Sequence, residues 1–450
     1  MGFNGLYGQD SFEYLLYSRS LHDFMLHGST LRVFHWPVLY PLAGAFLSFL
    51  MNEIYANQVI SICSYGLALY FLQKTLWVLY PEKKRQSSLL LLLFYGISPF
   101  VVRNSSTVMS DPLTIFFISA FLFFFLRFIK GGMNKDFVLG CISGSSAMNT
   151  RYAAIVLLII PMMVLIIRFC RHFKLIPFMT GVVLAILTFL PGIFLHYAVD
   201  HGIISHMLIP GWSIGNMFRH SFITTDGNFN YPLPNIVFVI LNLVHPGFIF
   251  IGIVLLVMIR KDTLRNPLLF FIVIAFILYT LFLAGLQTQN PRFSLLSFPF
   301  LILLYAGPFS RILEWIKKRL TKNSMVMVGF IIIVIQISLT YRAFVPFYRD
   351  SQNSREVAQH MKIYPGKTIY TMNIDMALEA YGIKNKIVNI WEKRIEKVDE
   401  GSLILFNYAE FNLKWKGKNP MLNWEILNKD YHLHQIEILP GNWELYETCK

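Results

Sequence analysis

Two carboxylates and two guanidiniums stand out in this chain because each opens or closes an apolar stretch. They are Asp10 in GQDSFEYLLY, Asp111 in VRNSSTVMSDPLTIFF, Arg151 in MNTRYAA and Arg292 in TQNPRFSLLSFPF. A carboxylate can take a proton from an attacking hydroxyl. An arginine can grip a phosphate with two parallel N–H donors and keeps its charge at any pH. Together they suit attack on a substrate whose leaving group is a membrane-borne phosphate. Each also has a plainer reading. Asp-Pro at positions 111–112 satisfies the free N–H groups of a starting helix, and a single arginine at a membrane edge can simply snorkel. Glu13 follows Asp10 by three residues. His35 reads as a metal ligand or, more simply, as an interface residue among aromatics.

The elements that must position these groups are membrane elements. The chain is 55% hydrophobic and only 14% charged, against roughly 25% charged for a soluble chain. Its net charge of +14 invites nucleic acid as a partner. The distribution excludes that reading, since from residue 345 onward fourteen Lys/Arg face fourteen Asp/Glu. The excess therefore lies in the apolar part, as basic loops between spans. The four cysteines have no pairing or metal-ligand spacing.

A bilayer crossing needs roughly 20 apolar residues. Ten candidates are readable, at about 56–79, 88–101, 112–129, 137–149, 152–167, 175–198, 236–259, 267–286, 293–309 and 325–344. The loops alternate in charge. One set holds Lys83-Lys84-Arg85, Arg127/Lys130/Lys135, Arg168/Arg171/Lys174, Arg260/Lys261/Arg265 and Arg311/Lys317/Lys318/Arg319/Lys322. The other holds the single cations Arg103, Arg151, Arg219 and Arg292. By the positive-inside rule the first set is cytoplasmic. Residues 1–36 and the C-terminal tail are then external, and the opening stretch reads as an external loop. The run Val38–Met51 reads as a juxtamembrane helix against the outer leaflet. Nothing before Asp10 would carry it across, so an upstream first helix is expected.

From about Val345 the composition becomes that of a small soluble domain. GKTIYTMN, NKIVNIW, GSLILFNY, YHLHQIEIL and NWELYET read as strands, and DMALEAYG as a helix closed by Gly382. The expected architecture is an α-helical polytopic membrane protein with a catalytic domain at 1–344 and an external α/β accessory domain at 345–450. Loop 199–235, with His206, Trp212, Arg219, His220 and Asp226, reads as a lid or a plain connector.

The order of YGQDSFEYLLYSRSL, HWPVLYPLAGAFLS, SPFVVRNSSTVMSDPLTIFF and NPRFSLLSFPFLILL resembles successive landmarks of polytopic GT-C glycosyltransferases. The nearest type is the protein O-mannosyltransferase and aminoarabinose-transferase superfamily, and the likeness covers about residues 5–310. It implies transfer of a sugar, with inversion, from a polyprenyl-phosphate donor to a glycan, lipid or protein acceptor on the external face of a bacterial inner membrane. The family's first acidic residue, a base or metal ligand, matches Asp10, and its second matches Asp111. Arg151 stands where relatives often carry Lys. On this reading Arg151 and Arg292 meet the donor phosphate, Asp111 orients the acceptor or a divalent cation, and Glu13, His35 and Arg219 are accessory.

Two other classes fit less well. A secondary transporter predicts charges near mid-membrane and Gly/Pro-broken helices in matching halves. An O-antigen ligase or polymerase predicts a large polar loop between spans, whereas the hydrophilic mass here is C-terminal.

Overall fold

A computed structural model describes residues 3–171, 173–200, 211–224, 227–244, 250–260, 265–391 and 393–449. The chain forms two compact units. The larger comprises Tyr17–Phe218 and Leu233–Phe344; the smaller comprises Met1–Leu16, Arg219–Pro232 and Val345–Lys450.

The first helices are α1 (Gly8–His27), α2 (Leu39–Leu47), α3 (Glu53–Leu79), α4 (Lys84–Leu91) and α5 (Pro99–Ser105). The next are α6 (Asp111–Gly131), α7 (Asn134–Thr150), α8 (Ala154–Cys170) and α9 (Leu175–Asp200). Later helices run Pro267–Ala284, Phe298–Arg319 and Lys322–Met361. Among the described residues six helices are long and apolar enough to cross a membrane, or seven if one bent pair counts as a span. The protein is an integral membrane protein.

Four sequence expectations change. The opening stretch is a helix, not a loop. The span expected at 88–101 is broken: the chain passes from α4 through a π-turn at Leu92–Gly96 into α5, a bend of 59°. Pro99 cannot donate to the Tyr95 carbonyl of the preceding turn, which accepts from the Ser98 N–H at 3.4 Å, while the Gly96 carbonyl accepts from the Tyr65 hydroxyl. The run 236–259 holds only short helical pieces among its described residues, Asn235–Leu241 and Gly252–Val257. Loop 199–235 contains a hairpin, β1 (Ser221–Thr224) with β2 (Gly227–Asn230), while His206 and Asp226 lie outside the described residues, as does Lys261.

Small residues let the membrane helices close up. In α7, Gly140, Ser143, Gly144, Ser145, Ser146 and Ala147 are all buried. A Cβ on Gly144 would meet Met162 Sδ at 2.9 Å, and one on Gly140 would meet Leu165 Cδ2 at 3.2 Å. In a bilayer, where burial of apolar surface drives no helix pairing, such close approach supplies the packing. At the α2–α3 junction Gly44 faces Asn57, whose Nδ2 donates to Ser18 Oγ at 3.1 Å. Arg19 of α1 pairs with Glu53 of α3 at 2.7 Å.

The smaller unit is built on a five-stranded mixed sheet. Its strands are β3 (Ile369–Thr371), β4 (Ile387–Asn389), β5 (Leu403–Phe406), β6 (His432–Leu439) and β7 (Trp443–Cys449), in the order β4-β3-β5-β7-β6. β3 runs parallel to β4 and β5; β7 is antiparallel to β5 and β6. The helix Asp375–Ala380 follows β3, and Gly382 (φ +84°) closes it. Two further helices, Tyr408–Trp415 and Asn419–Asp430, carry aromatic core residues, with Phe406 stacked on Trp424 at 4.3 Å. The β1–β2 hairpin belongs to this unit: Asn228 Nδ2 donates to the Lys416 carbonyl at 3.1 Å, and Lys414 lies over Phe229.

Candidate functional site

Asp111, Arg151 and Arg292 come from distant parts of the sequence and meet in the larger unit. Asp111 opens α6 with Pro112 beside it, as a helix start requires, and its side chain is 1% exposed. Arg151 is the first residue beyond α7; its extended backbone (φ −158°, ψ 117°) turns the chain sharply, and its N–H still donates to the Ala147 carbonyl. Arg292 sits in a 3-10 turn, Pro291–Ser297, capped by Asn290, whose side-chain oxygen accepts from the Arg292 N–H at 3.0 Å.

The Arg151 guanidinium hydrogen-bonds the Asp111 carboxylate through Nη1 and Oδ1. Arg292 approaches the second oxygen, Nε to Oδ2, at 3.4 Å. Two guanidiniums thus share one carboxylate. Their own side chains remain 18% and 14% exposed. Phe293 lies beneath both, 5.3 Å from Arg151 and 6.0 Å from Arg292, a cation–π arrangement. The buried Met109 sulfur also touches Arg292, accepting from its Nη1 at 2.8 Å. The Tyr279 hydroxyl donates to the Phe293 carbonyl at 2.7 Å and so fixes the ring's backbone.

Tyr279 also lines an apolar cavity of about 250 Å³. Its other walls include Phe276, Leu283, Ser294, Phe298 and Leu301. Tyr279 thus adjoins both the residue beneath the arginines and an apolar hollow, which together suit a molecule with an anionic head and a hydrocarbon tail.

The remaining expected residues fall elsewhere. Asp10 and Glu13 lie in the first two turns of α1, both half-buried, within the smaller unit. Arg219 belongs to that unit too, exposed, with its guanidinium 5.6 Å from the Phe222 ring. His35 is exposed in the larger unit. Among the described residues no group of three or more His, Cys, Asp or Glu side chains could hold a metal. Asp111 faces two cations, so its carboxylate is a poor donor for a divalent ion. The sequence left Met109, Phe293 and Tyr279 unnoticed. The interruption of apolar periodicity at Asn290-Pro291 is the signal that could have pointed to Phe293.

The architecture is that of the GT-C-type polytopic membrane proteins. The particular likeness is to ArnT from Cupriavidus metallidurans. Its structure bound to undecaprenyl phosphate has a TM-score of 0.63 and 12% identity, over 98% of this chain and 94% of that one. The apo state of ArnT gives 0.62 and 13%, over 98% and 93%. No protein-family model and no curated protein matches the chain.

Proposed function

We propose that the protein is a membrane glycosyltransferase that moves a sugar from a polyprenyl-phosphate donor to an acceptor hydroxyl on the external face, with inversion. The observation that carries this reading is the partly buried Asp111–Arg151–Arg292 cluster beside an apolar cavity, in a fold shared with a protein whose structure holds undecaprenyl phosphate.

In this mechanism the two arginines bind the donor phosphate and stabilise the charge that grows on it as the sugar leaves, typically worth a few kcal/mol per well-placed donor. Asp111 holds the guanidiniums in place and sets their spacing, a part that suits a carboxylate already engaged by both. The prenyl chain lies in the cavity walled by Phe276, Leu283 and Phe298. Asp10 takes the proton of the acceptor hydroxyl, whose oxygen attacks the anomeric carbon while the bond to the phosphate oxygen breaks. The products are the glycosylated acceptor and the free polyprenyl phosphate. No step runs through a metal. The smaller unit is proposed to be extracytoplasmic, as the loop charges require.

The test is donor consumption. Membranes carrying the wild-type protein receive a panel of radiolabelled polyprenyl-phosphate sugars, and loss of label from the lipid is followed beside Asp10→Asn. Consumption by wild type alone, at equal expression, supports the reading and the base. Consumption that survives Asp10→Asn removes Asp10 from the mechanism. Failure of well-folded wild type on every donor overturns the transferase reading.

A further inference from the structure

The C-terminal sequence suggests an accessory domain, yet the smaller unit encloses the very stretch that carries Asp10. Residues 3–16 are built into its side. Asn4 Nδ2 donates to the Tyr381 hydroxyl at 3.2 Å, and the Asn4 oxygen accepts from Ser351 Oγ at 3.1 Å. Tyr7 stacks on Phe347 with ring centroids 3.6 Å apart, and Phe12 meets Tyr381 edge-on at 5.8 Å. Gly8, at φ +66°, then turns the chain into α1.

A polar contact adjoins the acidic turn. Gln9 Nε2 donates to Asp375 Oδ1 at 3.0 Å, and Asn389 Nδ2 donates to Asp375 Oδ2 at 2.8 Å. Asp375 opens the helix that follows β3, and Asn389 closes β4, so both lie at the C-terminal ends of parallel strands. There the C-terminal ends of β3 and β4 grip the chain's own acidic turn. Gln9 adjoins Asp10 in sequence, so whatever fixes the Gln9 amide fixes the first turn of α1.

We propose that Asp375 is a positioning residue for the transfer: through Gln9 it holds the first turn of α1, and with it the Asp10 carboxylate, in the pose the reaction needs. This rests on the reading of Asp10 as the base. Asp375 acts on the geometry of Asp10, not on substrate.

A reciprocal swap in the full-length protein tests it. Gln9→Glu sets two carboxylates against each other where one amide donated. Asp375→Asn alone leaves a partner that Gln9 can meet by turning its amide. In the double variant Gln9→Glu/Asp375→Asn, the new amide donates to the new carboxylate. Since a displacement of about 1 Å can cost on the order of 100-fold, Gln9→Glu is expected to lower kcat for donor consumption by roughly 10- to 100-fold with donor KM nearly unchanged. The double variant is expected to recover to within about threefold, as a restored charge-assisted contact should. Thermal unfolding is followed on the same samples. Recovery of kcat in the double variant supports the proposal. An unchanged kcat in Gln9→Glu, or a folded double variant that stays inactive, overturns it while leaving the transferase intact. A wild type inert on every donor overturns the transferase reading and this proposal together.

Discussion

Two aspartates, Asp111 buried and Asp375 half-buried, handle their charge in opposite ways. In the larger unit Asp111 is neutralised by two guanidiniums. In the smaller unit the donors to Asp375 among the described residues are amides and backbone N–H groups, from Gln9, Asn389 and its own helix start. Burial pushes the Asp375 carboxyl up, and these donors pull it part of the way back. An arginine pair shared by one carboxylate is suited to attract a further anion. An amide-lined carboxylate attracts none and serves to hold a segment of chain in register. On the proposed reading, the same residue type marks ligand binding in one region and placement in the other.

Removing the charge should therefore hurt the two regions unequally. Asp111→Ala strands two guanidiniums in a nearly closed site, and loss of one partner from a buried pair costs about 3–5 kcal/mol. Thermal unfolding in detergent and yield of folded protein should show this as the largest single effect. A folded Asp111→Ala protein with near-wild-type stability would mean that the cluster is solvated and loosely joined.

Gly44→Ala should come next. The added methyl would stand 2.2 Å from Asn57 Oδ1 and 2.6 Å from Ser18 Oγ. Overpacking of this kind costs roughly 1–3 kcal/mol, here by separating α2 from α1 and α3 within the larger unit. Gly131→Ala, where an added Cβ meets nothing within 4 Å, is the control and should be close to neutral in the same melt.

The smallest effect is a pH trend. Asp375 and Glu410 both have carboxyls raised by burial from the ordinary values of 3.8 and 4.5. A raised carboxyl means that the folded state binds more protons, so its contribution is fully present below the unfolded value and is lost as pH rises through the folded one. The melting temperature of the full chain should therefore lose part of its pH dependence above the ordinary carboxylate range in Asp375→Asn and Glu410→Gln. The same pH dependence of the melting temperature in all three proteins over that window would contradict the raised carboxyls.

The sequence carried the two regions unequally as well. Asp111, Arg151 and Arg292 were legible because a charge at the edge of an apolar run is rare and costly, and each therefore needs a partner. Their convergence on a single carboxylate was not, since α6, α7 and the Pro291 turn are joined only by tertiary packing. Strands β3 to β7 and the helix closed by Gly382 followed from alternation and glycine punctuation. The helices Tyr408–Trp415 and Asn419–Asp430 did not, because their core contacts come from aromatics, Phe411, Trp415 and Trp424, whose spacing also suits strands. The run 236–259 has the composition of a span, yet composition does not require one continuous helix where neighbours bury the pieces. Gln9 and Asp375 are separated by 366 positions, and no local pattern announces such a pair.

The central claim is that Arg151 and Arg292 bind a lipid-borne phosphate. Its most direct test is binding of undecaprenyl phosphate and of the uncharged undecaprenol to purified wild type and Arg292→Gln, measured by native mass spectrometry. Hydrogen bonds to a charged group are worth about 1.5–3 kcal/mol, so the variant should lose roughly 10- to 100-fold in affinity for the phosphate while undecaprenol binds both proteins alike. Equal phosphate binding by wild type and a folded Arg292→Gln protein would contradict the account.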